Sequence, residues 1–130
     1  MSGTWDANIV LVYIVCEDRF FAIDALDNGE AFDVLADVRI GRNLMQFVNE
    51  CELCVSVRNL SQSSTLLRRR QSYPLAPQDA PLDQQLLVKF SAGWNASDGD
   101  VLEVLATFKV KAGINRDYSL ARSAPFIVTN

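Results

Sequence analysis

The sequence predicts an all-β chain, a two-layer antiparallel β-sandwich of immunoglobulin-like architecture with about seven to eight strands, and three observations carry that expectation. Apolar residues recur at every second position in several separate runs. Steps rich in Asp, Asn and Gly punctuate the runs, and these residues suit tight turns. No segment carries a long apolar stripe at helical spacing.

Taken in order, the first strand falls at residues 9–16, where Ile9, Leu11, Tyr13 and Val15 alternate with Val10, Val12, Ile14 and Cys16. Both alternate sets are apolar, so both faces call for burial. The second face needs a cover, either residues 19–26 folding back or another subunit. After the turn Asp27-Asn28-Gly29, residues 32–40 place apolar side chains at every even position and charges at three of the odd ones, with Leu35 the exception. Residues 42–49, with Leu44, Phe47 and Val48, suggest one or two helical turns. Alternation returns at Cys51, Leu53, Val55 and Val57, then at Leu86, Val88 and Phe90. It returns again at Leu102, Val104, Ala106, Phe108 and Val110, between Asp98-Gly99 and Ala112-Gly113, and at Phe126 and Val128.

Residues 64–73 are different. Leu66 shares a face with Arg68 and Arg70, and Leu67 shares the other with Arg69, which is the profile of an edge strand. Pro74, Pro77 and Pro81 follow and form the one stretch that resembles a linker, with too little chain after it for a second domain. Residues 1–130 are therefore expected to form one sandwich domain.

Composition narrows the function. No histidine is present, which removes the Ser-His-Asp and Cys-His routes to nucleophile activation and the commonest acid–base group near neutral pH. The six glycines are scattered and build no phosphate-cradling loop. Cys51 and Cys54 have CxxC spacing, yet on a strand residues three apart point to opposite faces, so neither zinc binding nor redox exchange is expected. No cofactor and no enzymatic activity are expected, a lone Cys54 or a Ser-Lys pair being the weak alternatives. The three cysteines suit a reducing compartment, and residues 1–9 carry Asp6 without lysine or arginine. The longest apolar run has eight residues, against the ~20 of a spanning helix. A cytoplasmic protein without a membrane partner is the expectation.

Charge supplies the lead. The net charge of −4 argues against nucleic acid as the partner. Residues 1–55 hold ten acids against three bases, whereas residues 56–130 hold six acids against nine bases. Arg68-Arg69-Arg70 is the densest basic step, and it reads as edge protection or as a contact for an acidic protein surface. A structural or interaction module follows, whose partner is another copy or another subunit, with Ile9, Leu11 and Tyr13 giving apolar contact and the arginines giving specificity. The alternative is a small calcium- or carbohydrate-binding module. Its candidate calcium ligands are the loop acids Asp24, Asp27, Asp98 and Asp100, and its sugar-stacking aromatics are Trp5, Trp94, Tyr73 and Tyr118.

Overall fold

The computed structural model describes residues 6–16 and 22–130. Nine strands and one helical turn follow in chain order: β1 (Ala7–Cys16), β2 (Ala25–Asp27), β3 (Phe32–Ile40), α1 (Arg42–Met45), β4 (Val48–Asn59), β5 (Ser64–Pro74), β6 (Leu82–Phe90), β7 (Val101–Ala112), β8 (Asn115–Arg122) and β9 (Phe126–Thr129). They form two sheets. The smaller has the order β1-β3-β6, and the larger has the order β2-β9-β7-β4-β5 with β8 also paired to β7. All pairings are antiparallel except the short parallel contact of β2 with β9.

The core lies between the sheets. Leu53, Val55 and Val57 of β4 and Leu102, Val104, Ala106, Phe108 and Val110 of β7 are buried, facing Val34, Ala36, Val38 and Ile40 of β3 and Leu86 and Val88 of β6. Burial drives this arrangement, because period two puts every apolar side chain of each strand on one face. At one end of the core Phe32 stacks on its cross-strand partner Phe90 at 5.0 Å and meets Trp94 edge-on at 5.9 Å. The Trp94 indole donates to the Glu30 carbonyl at 2.7 Å, so its polar atom is satisfied. Gly29 makes the turn before β3 at φ +81°, and a β-carbon there would sit 3.1 Å from the Trp94 carbonyl oxygen.

Four features depart from expectation. A bulge between Ile9 and Leu11 makes Val10 an extra residue, so the phase of β1 switches within the strand. Ile9 pairs with Val38 on the core side, while Leu11 and Tyr13 pair with Asp37 and Leu35 on the outer side. The helical segment is a single turn, within the one or two expected, but Phe47 is exposed because β4 starts at Val48. Leu35 is buried although it lies on the outer side of the smaller sheet, and Val15 is buried on that side as its two-sided apolar run expects. Next to them, Val15 bridges Ala22 and the Ile23 amide donates to the Ile14 carbonyl, so the chain at residues 22–23 returns along the edge of β1; of the rest of the expected cover, residues 24–26 instead join β9 of the larger sheet and residues 19–21 lie outside the described residues.

The fourth departure is β8, a strand that alternation does not mark. β7 is longer than either neighbour on its second edge, so β9 takes Val101 and Leu102 and β8 takes Leu105 to Ala112. Ser123 fills the handover: its hydroxyl accepts from the Val104 amide at 3.0 Å and donates to the Ala124 carbonyl at 2.9 Å. The other side of β8 reaches the smaller sheet. Asp117 accepts from the Ala7 amide at 2.6 Å and Ser119 from the Ile9 amide at 3.1 Å, so two side chains satisfy the free edge of β1.

Candidate functional site

The outer face of the larger sheet carries seven of the chain's twelve basic residues. Outward positions are fixed by the ladders: Glu50, Glu52, Cys54, Ser56 and Arg58 on β4 lie opposite Lys111, Lys109, Thr107, Leu105 and Glu103 on β7. On one flank β5 adds Arg70 beside Cys54 and Arg68 beside Ser56. On the other flank β8 adds Arg116, Tyr118, Leu120 and Arg122 beside Lys111, Lys109, Thr107 and Leu105. On these four strands seven bases and three acids share the face, a surplus of four positive charges on a chain whose net charge is −4, while Asp27 of β2 lies on the same sheet face at its far edge.

The acids on the face are all engaged. Glu52 meets Arg70 at 3.4 Å and Lys109 at 3.8 Å, Glu50 meets Lys111 at 3.0 Å, and Glu103 meets Arg122 at 4.0 Å. Arg58, Arg68 and Arg116 make no ion pair among the described residues. Tyr118 and Leu120 are 58% and 61% exposed, so the basic residues frame an apolar strip. In the middle, a depression of about 210 Å³ is lined by Cys54, Thr107, Arg68, Arg70, Lys109, Glu52 and Tyr118.

The arginine triplet divides. Arg68 and Arg70 point outward with this face, whereas Arg69 lies opposite core-facing Val55. It stays exposed because β5 is an edge strand, and an inward charge on an edge opposes strand-to-strand addition. Further along β5, the half-buried Tyr73 donates its hydroxyl to the Leu87 carbonyl of β6 at 3.3 Å, and burial followed by the charge of Cys51 raises its pKa.

Leu11 and Tyr13 are on the opposite side of the molecule, on the outer face of β1-β3-β6, and Ile9 is inside. The six expected contact residues thus form no single surface. On the smaller sheet's face charges pair internally: Arg39 with Asp83 at 2.6 Å, and Gln85 donating to both the Tyr13 hydroxyl and Asp37. Asp33, Asp37 and Asp83 stand there against Arg39 and Lys89, an excess of one acid and no basic surplus.

The loop acids are placed at one end of the sandwich. Asn28 bonds Asn95 and Ala96, Asp27 accepts from Thr129, and Asp98 accepts from the Asn130 amide, so the turn before β3, the loop before β7 and the end of β9 are tied together. Asp24, Asp27, Glu30 and Asp98 are exposed there. Asp100 is buried, and the Asn59 amide at 2.8 Å, then the Ser97 N–H at 3.0 Å, hold its carboxyl below the usual range. Among the described residues no three acid, cysteine or histidine groups converge as metal ligands do. Of the aromatics considered for sugar stacking, Trp94 is buried, Tyr73 is half-buried, Tyr118 lies on the basic face, and Trp5 is outside the described residues.

The sequence marked Arg68 and Arg70 but missed Lys109, Lys111, Arg116, Tyr118, Leu120 and Arg122 as members of one surface. The signal was present in the excess of bases after residue 55 and in the outward phase of Lys109 and Lys111.

The two facing sheets define a β-sandwich domain. Comparison with solved structures agrees: a Bacteroides fragilis protein assigned as a β-galactosidase matches with a TM-score of 0.54 and 17% identity, over 92% of this chain and 17% of that one. A β-glucuronidase of glycoside hydrolase family 2 matches with a TM-score of 0.48 and 11% identity, over 95% of this chain and 13% of that one. The sporulation control protein Spo0M of Bacillus subtilis matches with a TM-score of 0.45 and 15% identity, over 96% of this chain and 50% of that one. No protein-family model matches the chain, and no curated protein matches it in sequence. No helix among the described residues is long and apolar enough to cross a membrane.

Proposed function

We propose that this chain is a non-catalytic interaction module of a cytoplasmic assembly, in which the basic face of one copy receives the acidic loop end of the next. The observation that carries this reading is the segregation of charge: a surplus of four bases on the face of β5-β4-β7-β8, and four exposed acids at the end formed by Asp24, Asp27, Glu30 and Asp98. From Val101 at the acidic end to Thr107 at the centre of the face is about 20 Å, at ~3.3 Å per residue. The two surfaces thus have separate centres on one molecule, with Asp27 at the β2 edge of the same sheet, and their contact is heterologous, which builds rings or filaments. The exposed Tyr118 and Leu120 add apolar area within the basic frame.

Sedimentation velocity tests this. In about 0.01 M salt the screening length is ~30 Å, and in about 1 M salt it is ~3 Å. A large particle in the first condition that falls to the single chain in the second is the expected result. An unchanged particle size across the two conditions overturns the proposal.

A further inference from the structure

The depression on the basic face has a composition that selects one kind of anion. Its floor is Cys54 and Thr107, cross-strand neighbours with short side chains. The long side chains of Arg68 and Arg70 rise on one flank, Tyr118 rises on the other, and Lys109 with Glu52 closes one end. Short residues ringed by long ones leave a space of about 210 Å³, open to solvent. Three cations and one carboxylate line it, which leaves two positive charges unanswered. Glu52 is shared between Arg70 and Lys109 at 3.4 and 3.8 Å, and Arg68 has no ion pair among the described residues.

We propose that this depression is a binding site for a phosphomonoester dianion. Two negative charges match the two that are unanswered, whereas a single carboxylate leaves one cation without a partner. Guanidinium forks suit tetrahedral oxygens bidentately, and the Thr107 and Tyr118 hydroxyls supply further donors for the remaining oxygens. The exposed ring of Tyr118 gives the ester's organic portion an apolar surface to lie on. A phosphorylated side chain and a small phosphate ester share this chemistry. The inference rests on the reading of this face as a docking surface, but it concerns one pocket within it.

Cys54, on the pocket floor, reports occupancy. The Cys16→Ser variant, kept dilute so that no association occurs, is treated with iodoacetamide near neutral pH, and the alkylation rate of Cys54 is followed by mass spectrometry. Phenyl phosphate is expected to slow that rate saturably, about tenfold at ten times its Kd, because only unliganded molecules react. Acetate at matched ionic strength leaves the rate unchanged. Arg68→Ala combined with Arg70→Ala removes the protection while the thermal transition stays cooperative. A phosphotyrosine peptide that protects at lower concentration than phenyl phosphate identifies a protein ligand; equal protection identifies the small ester. Equal slowing by acetate and phenyl phosphate, or no slowing by either phosphate compound, overturns the proposal. Because the assay uses single chains, that failure leaves the sedimentation result untouched.

Discussion

Cys51 and Cys54 are three residues apart on β4 and meet opposite environments, because a strand turns successive side chains to opposite faces. Cys51 is 2% exposed, and burial, with the Glu50 carboxylate beside it, pushes its thiol up to about 11. At neutral pH about one molecule in ten thousand then carries the reactive thiolate. Cys54 is half-buried on the basic face. Native protein treated with iodoacetamide is expected to take label at Cys54 and none at Cys51 until denaturant is added. Peptide mass spectrometry checks this, and native labelling of Cys51 at the rate of Cys54 contradicts the inside–outside phase of β4. A comparable logic governs Asp100, which is a loop brace and not a free ligand, since Asn59 and Ser97 both point donors at it.

On the scale of elements, the bulge in β1 decides which side chains matter to stability. Ile14 is 2% exposed and Leu11 is 53% exposed although both stand in one unbroken apolar run. Ile14→Ala is expected to cost about 2–5 kcal/mol in urea unfolding, and Leu11→Ala less than ~0.5 kcal/mol. Similar costs for the two would place the phase switch elsewhere. The connection from β5 to β6 makes a second prediction. Asp79 takes hydrogen bonds from Arg42 and Gln46 near α1, first of all from the guanidinium, and its carboxyl falls to about 2. A lowered folded-state pKa stabilises above the ordinary 3.8 and loses that contribution as pH falls toward about 2. Asp79→Asn should flatten this acid limb in thermal melts taken from pH 5 downward, and an unchanged limb would show that the pairing has no weight in solution. Strands β3, β4 and β7 were legible because in each an apolar set alternates with a set rich in polar and charged residues. The bulge was not, since Ile9, Val10, Leu11 and Val12 are all apolar and conceal the phase. β8 was hidden for the opposite reason: its inner side carries Asp117 and Ser119 to bond the amides of β1, so it has no apolar inner face to betray it.

On the scale of the whole molecule, the surface could not be read because it needs the register of four strands, and register depends on pairing partners that lie far apart in the chain. Once β5, β4, β7 and β8 are aligned, the mild basic excess of residues 56–130 becomes a face, and the acids of three loops become an end. A charge exchange tests whether the two belong together. Arg68→Glu with Arg70→Glu inverts two positions and cancels the surplus on the face, and Asp27→Lys with Asp98→Lys inverts two positions and cancels the charge of the end. Each exposed pair is worth ~0.5 kcal/mol and each like-charge contact costs a similar amount, so either double variant should weaken association by ~2 kcal/mol, about thirtyfold in Kd. Neither alone should then form the low-salt particle. Mixed in equal amounts, they should form it again, because the inverted positions on the face of one now meet the inverted positions on the end of the other while the native face and end also meet. Light scattering of the mixture against the separate variants reads the answer. Recovery identifies the acidic end as the occupant of the basic face. Loss in both variants without recovery on mixing would mean that the charges matter but do not touch each other, and association untouched by either variant would remove electrostatics from the contact altogether.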